Sequence, residues 1–230
     1  MEGFVKLDKP KGITSFGVIA RLRKLTGVKK IGHAGTLDPM ATGLMIVAIG
    51  KNYTKQLGQF LGMDKTYEGE ISFGYETDTY DAEGQVVNTA DASQLDAKNV
   101  KEAMRPFVGD IMQVPPAFSA KKIKGKKAYE LARKGKEVSL EPSKKTIFSF
   151  EVLDISLGEN PTLRFSVHCS SGTYVRSLAH DLGQALGVGA HLSALRRTKI
   201  GESSLDGALC LEGLDLKEVE GLFRVRVSSK

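Results

Sequence analysis

The run Leu44-Met45-Ile46-Val47-Ala48-Ile49, closed by Gly50, constrains the fold more than any other stretch. It is continuously apolar, rich in β-branched residues and short, which reads as a strand buried on both faces. Immediately ahead of it, GHAGTLDPMATG at 32–43 holds one carboxylate, one imidazole, two hydroxyls and three glycines. Its glycines and proline argue against a helix. Pro39 biases Asp38 away from the helical region, so the carboxylate sits on an extended, restricted backbone at the mouth of the strand. Reactive groups favour loops held by rigid scaffolds, whereas an Asp before Pro also serves simply to organise a turn. On the residues alone both readings stand.

With 230 residues the chain can bury a sizeable core, as one large domain or two small ones. No N-terminal basic-then-apolar leader and no apolar stretch of membrane-spanning length is present. Two cysteines, Cys169 and Cys210, give neither a disulfide framework nor a metal motif, and the four histidines lack metal-ligand spacing. No bound metal is expected, and a reducing, cytoplasmic setting is the economical expectation. The glycines at 32, 35 and 43 match neither a P-loop nor a dinucleotide fingerprint. The net charge of +6 is unevenly spread: residues 6–55 carry ten basic side chains against Asp8 and Asp38, and residues 121–145 carry ten against three glutamates. Residues 68–110 between them are acidic. Charge segregated in this way favours a polyanionic partner bound by the two basic blocks over a uniformly solvated surface.

In chain order, residues 3–8 alternate as a short strand and residues 9–12 turn. Thr14 or Ser15 caps a helix with Val18, Ile19, Leu22 and Leu25 in one stripe and Gly27 as its stop. Residues 54–61 read as a short helix ended by Gly62. Residues 66–75 alternate as a strand with Tyr67, Gly69, Ile71, Phe73 and Tyr75 on one face; by pattern alone Tyr67 is a core aromatic. Residues 77–92 are acidic and turn-rich, and 100–108 form an amphipathic helix interrupted near Pro106. A lysine-, glycine- and proline-rich stretch, 114–142, contains a helical segment at 128–133. Residues 146–157 and 162–169 alternate as an antiparallel pair. The hydroxyls of 170–173 cap a helix at 174–186, with Tyr174, Leu178, Leu182 and Leu186 on one face. Residues 191–197 are a short apolar-plus-basic segment, and the pattern beyond Leu205 is ambiguous. Alternating short strands and helices indicate an α+β fold.

The segment GHAGTLDPMATGLM at 32–45 resembles the signature of the TruB family of tRNA pseudouridine synthases. KPKGITS at 9–15, KTYEG at 65–69, VPPAFSAK at 114–121 and SGTYVRSL at 171–178 resemble further segments of that family in the same order. The resemblance extends over about residues 3–200. It implies a mixed, largely antiparallel sheet flanked by helices, with an active cleft crossing its middle and a basic thumb insertion at about 114–145. The implied catalytic domain covers 1–204, and 205–230 form a short tail without the complete C-terminal PUA domain common in the family.

The implied reaction isomerises uridine at position 55, in the TΨC loop of tRNA, to pseudouridine, and needs neither a cofactor nor a metal. The target base must leave its stack to be reached. The resemblance assigns the carboxylate to Asp38, as nucleophile or as the base that starts an elimination at the ribose. It places Tyr67 against the extruded base and Arg176 beside them, with Lys9, His33, Tyr174, Leu195 and Lys121 on the RNA or around the pocket. A cation in the first turn of a helix is disfavoured by the macrodipole, so a carboxylate near Arg176 is expected, and Asp38 is the candidate. The motif glycines are expected to let RNA approach the backbone, and the protein is expected to act as a monomer. Two rivals share these features: a non-catalytic RNA-binding or chaperone protein on the same fold, and the same chemistry on another RNA.

Overall fold

Every side chain of the apolar run at 44–49 is buried, on both faces of its strand, which explains why it has no polar side. The computed structural model describes residues 1–123, 125–136 and 138–224. Lys124 of the second basic block and residues 225–230 of the expected tail lie outside the described residues. The chain forms two units, one from Met1–Tyr67 and Arg196 onward, the other from Glu68–Leu195.

The first unit opens with β1 (Gly3–Lys9), α1 (Ser15–Thr26), β2 (Ile31–His33), β3 (Thr42–Ile49) and two single turns, α2 (Lys51–Thr54) and α3 (Gly58–Leu61). The helix expected at 54–61 is therefore split, since residues 55–57 belong to neither turn. Thr14 caps α1 by accepting from the Gly17 N–H, and Gly27 ends it at φ 71° with its N–H on the Arg23 carbonyl. β1 pairs antiparallel along the whole of β3, from Gly3 opposite Ile49 to Lys9 opposite Gly43. On the other edge, β2 takes the Val47–Ile49 end.

β4 (Lys65–Phe73) passes into the second unit, followed by β5 (Tyr75–Thr77), β6 (Val86–Thr89), α4 (Ala97–Met104), β7 (Gly109–Gln113), β8 (Lys122–Ile123), β9 (Lys126–Lys127), α5 (Ala128–Ala132), β10 (Ser143–Ser156), β11 (Thr162–Cys169), α6 (Val175–Leu186) and β12 (Ala190–Ile200). Tyr67, Ile71 and Phe73 share the buried face of β4 as expected, but Tyr75 does not. Gly74 at φ 98° ends the strand, and Tyr75 starts a separate hairpin, β5–β6. The apolar-plus-basic segment at 191–197 is part of the eleven-residue strand β12. Within this unit the strands run β12-β4-β11-β10-β7, with β10 antiparallel to both β11 and β7.

β13 (Ser203–Ser204), β14 (Leu209–Cys210) and α7 (Leu216–Arg224) return to the first unit and resolve the ambiguous stretch beyond Leu205. There β14 lies parallel to β1, and Arg196 and Arg197 of β12 lie parallel to Thr42 and Gly43 of β3. The fold is thus α+β with a mixed, largely antiparallel sheet flanked by helices, and among the described residues no helix is long and apolar enough to cross a membrane.

Gly43 has a different task from the one expected of it. Its φ is 101°, and a Cβ there would stand 2.3 Å from the Arg197 carbonyl oxygen and 2.8 Å from the Arg197 nitrogen. It permits β12 to lie against β3, an intramolecular close approach rather than one to RNA. Gly43→Ala should therefore cost about 2–4 kcal/mol from strain and overpacking. Gly27→Ala, at φ 71° with nothing within 4 Å of the new methyl, should cost only about 1 kcal/mol. Calorimetric melting of the two variants checks the difference, and equal midpoints would contradict it.

Candidate active site

In the first unit, Asp38 is half-buried in an irregular segment whose carbonyl accepts from the Ala41 N–H at 3.1 Å. Its two neighbours are each held by the 9–15 loop. On one side, buried Ser15 accepts from the Leu37 N–H at 2.9 Å and donates to the Leu37 carbonyl at 3.0 Å. On the other, the Pro39 carbonyl accepts from the Gly12 N–H at 2.9 Å and from Lys9 Nζ at 3.2 Å. Lys9 also donates to the carbonyls of Pro10 and Ile13, at 3.0 and 2.7 Å. Its side chain is fully buried, so what it contributes to the site passes through the loop it holds.

His33 leads out of β2 into the same segment. Burial lowers its pKa, the Arg197 guanidinium lowers it further, and a hydrogen bond with the Gly35 backbone opposes them. The ring is therefore neutral at pH 7. Arg197 is itself buried and donates to the carbonyls of Leu44 at 2.8 Å and Gly35 at 3.2 Å. It ties β12 to both ends of the 35–44 segment. Arg196 next to it makes a two-pronged pair with Asp8, at 3.0 and 2.6 Å. Tyr67 closes this unit's part of β4 on the buried face, two residues after Lys65. Lys65 is buried too, and donates to the carbonyls of Leu61 at 2.8 Å and Met63 at 2.5 Å.

In the second unit, Arg176 is buried in the first turn of α6, and the carboxylate that offsets the helix dipole within this unit is Asp81, at 3.5 Å. Arg176 also donates to the carbonyls of Thr79 at 2.9 Å and Phe118 at 3.0 Å. Asp81 accepts in turn from the Thr79 hydroxyl at 2.7 Å and the Glu83 N–H at 3.0 Å. The sequence reading missed Asp81 because it sits in a stretch that reads only as acidic and turn-rich. The density of Asp and Thr in Thr77-Asp78-Thr79-Tyr80-Asp81 was the available sign.

The hydroxyls of 170–173 do not cap α6, which has no side-chain cap. Ser170 instead accepts from the Thr146 N–H, and Thr173 donates to the Ser170 carbonyl. The Tyr174 backbone at the helix entry is held by Gln113, which accepts from its N–H at 2.8 Å and donates to its carbonyl at 3.1 Å. Leu195 is buried on β12. Lys121 donates to the Glu141 carbonyl at 3.1 Å across the base of the basic insertion. In that insertion the cations of Lys127 and Arg133 each lie 5.4 Å from the Tyr129 ring. The structure thus groups Asp38, Lys9, His33 and Tyr67 in one unit, and Arg176, Tyr174, Leu195 and Lys121 in the other.

The sequence matches the family described as TruB family pseudouridylate synthase (N terminal domain) over residues 23–175, and the tRNA pseudouridylate synthase B C-terminal domain over 176–222. Among similar proteins, tRNA pseudouridine synthase B of Protochlamydia amoebophila (strain UWE25) is 50% identical over 222 residues, spanning 96% of this chain and 82% of that protein. The protein of the same name from Aquifex aeolicus (strain VF5) is 48% identical over 233 residues, spanning 98% and 80%. A chain in the crystal structure of a Cbf5-Nop10-Gar1 complex superposes with a TM-score of 0.68 at 28% identity, covering 99% of this chain and 57% of that one. A family match across more than half of the chain, on a fold that holds Asp38 by both of its neighbours, establishes that this chain belongs to the TruB family of pseudouridylate synthases.

Proposed function

We propose that the protein isomerises a uridine of tRNA to pseudouridine, at position 55 in the TΨC loop, with the Asp38 carboxylate at the reacting centre. The bond from C1′ to N1 of the base breaks, the base turns, and C1′ bonds to C5. The C5 proton leaves and N1 gains one, so atoms and electrons balance without an added reagent. The observation that carries this reading is the double clamp on Asp38. Ser15 fixes Leu37 through both of its backbone groups, and Lys9 and Gly12 fix Pro39. A carboxylate on so restricted a backbone is pre-organised for attack at one atom.

Tyr67 is proposed to stack on the extruded base. Arg176 is proposed to serve the same reaction through its guanidinium, which carries five donors and is held in orientation by Asp81, Thr79 and Phe118. Neutral His33 fits contact with a base or ribose better than with a phosphate. The two basic blocks are proposed to supply phosphate contacts.

Tritium release from C5-labelled uridine in unmodified tRNA tests the reaction. Asp38→Asn should lose release by at least about a thousandfold while still binding tRNA. Binding without any release by the wild type would favour a non-catalytic RNA-binding role, and release from ribosomal RNA alone would move the substrate elsewhere. Ser15→Ala leaves both Leu37 backbone groups without their partner, at about 1–3 kcal/mol of stability. It should lower kcat about tenfold with KM nearly unchanged; a rise in KM alone would argue against the clamp.

The His33 environment also sets a pH dependence. Its folded pKa lies below the unfolded value, so in the window below about 6.5 the unfolded chain binds a proton that the folded chain does not. Stability should fall as pH drops through that window, and His33→Gln should flatten the slope in denaturant titrations between pH 7 and 5. His191 is shifted the same way, chiefly by burial, so part of the slope should survive.

A further inference from the structure

Tyr80 has a φ of 63° and is the only residue other than glycine with positive φ among the described residues. A bulky side chain rarely adopts this conformation, which Gly or Asn would enter with little strain. Something must hold it there, and the structure shows what does. The Tyr80 ring lies flat on the His180 ring, with centroids 3.8 Å apart and planes 7° apart. Burial first, and then the Asp181 and Glu76 carboxylates, push the Tyr80 phenol pKa up, so the stacked ring stays neutral.

The stack is the middle contact of three. Arg176, His180 and Gln184 follow one another at four-residue spacing along one face of α6. Arg176 binds the Thr79 carbonyl and the Asp81 carboxylate, His180 carries Tyr80, and Gln184 donates to Glu76 at 2.6 Å. The other side of the loop is stitched to β12. The Leu192 N–H donates to the Tyr80 carbonyl at 3.0 Å, and the Ala82 N–H donates to the Leu192 carbonyl at 3.1 Å. Tyr80 therefore separates the two residues that grip Arg176, and its backbone angle decides where each of them points.

Resting on the reading that Arg176 serves the isomerisation, we propose that Tyr80 is a positioning residue for Arg176. Its ring, seated on His180, fixes the loop so that Thr79 and Asp81 hold the guanidinium in one orientation. Tyr80 touches no reacting atom in this account. It acts on the rate through Arg176, and its hydroxyl is not required.

The test measures kcat and KM by tritium release from unmodified tRNA, together with thermal midpoints, for Tyr80→Phe, Tyr80→Gly, His180→Leu and Arg176→Lys. Tyr80→Phe keeps the stack and should keep the wild-type kcat. Tyr80→Gly accepts the backbone angle but loses the ring, so kcat should fall about ten- to a hundredfold with KM within about twofold. His180→Leu removes the other half of the stack and should reproduce that loss, which keeps the proposal testable if the glycine variant folds poorly. Added to Arg176→Lys, Tyr80→Gly should cause no further loss, because both changes act on one group. Wild-type kcat in both stack variants beside an impaired Arg176→Lys would overturn the proposal, as would a loss in Tyr80→Phe or fully additive losses. Wild-type kcat in Arg176→Lys would instead refute the reading of Arg176, and this inference with it.

Discussion

Asp38 is held through the backbone of both of its neighbours, and the first unit is arranged around that fact. A carboxylate proposed to meet a substrate cannot be fully enclosed, so its position has to be set from behind. Ser15 does this for Leu37 and Lys9 for Pro39. They flank one short loop, Lys9 ending β1 and Ser15 opening α1, so the strand, the loop and the helix cap at Thr14 jointly determine where the carboxylate sits. Arg197 extends the same support from β12 by binding Gly35 and Leu44, on either side of the turn.

Cations recur in these supporting positions, and each is buried. Lys9, Lys65, Arg176 and Arg197 each donate to backbone carbonyls, and Arg176 also pairs with the Asp81 carboxylate. Burying a charge is costly unless it is hydrogen-bonded. A carbonyl-lined seat meets that requirement while letting one long side chain join several loop segments at once. The basic character that the sequence shows near its motifs thus has two destinations. Part of it lies in exposed side chains such as Lys11, Arg21 and Lys24, and part is interior structure. Net charge alone does not separate the two.

That distinction marks the limit of what could be read from the residues. The strands at 3–8, 44–49 and 162–169 and the helix starting after Thr14 were legible because local periodicity and capping decide them. Asp38 stood out because Pro39 restricts it. The partners at a distance did not. Asp81 looked like one more turn residue, Gln113 gave no sign of holding the Tyr174 backbone, and the hydroxyls at 170–173 were assigned a cap that they do not provide. In each case the deciding contact spans tens of residues, from Thr79 to Arg176 or Gln113 to Tyr174. Gly43 misled for the same reason: a glycine in a motif shows that something comes close, and only the fold shows that it is Arg197.

The parallel pairing of β12 with β3 joins residues about 150 positions apart in the chain. Because non-local contacts are made late and at an entropic cost, the Asp38 segment and its scaffold are separated in time during synthesis. Asp38 is made early, but the guanidinium that ties Gly35 to Leu44 emerges only with Arg197, and the strand that flanks β1 follows at Leu209–Cys210. A nascent chain that has passed Tyr67 thus carries the carboxylate and its flanking strands without the brace that fixes them. The carboxylate proposed to perform the chemistry is therefore synthesised well over a hundred residues before the brace that fixes its segment.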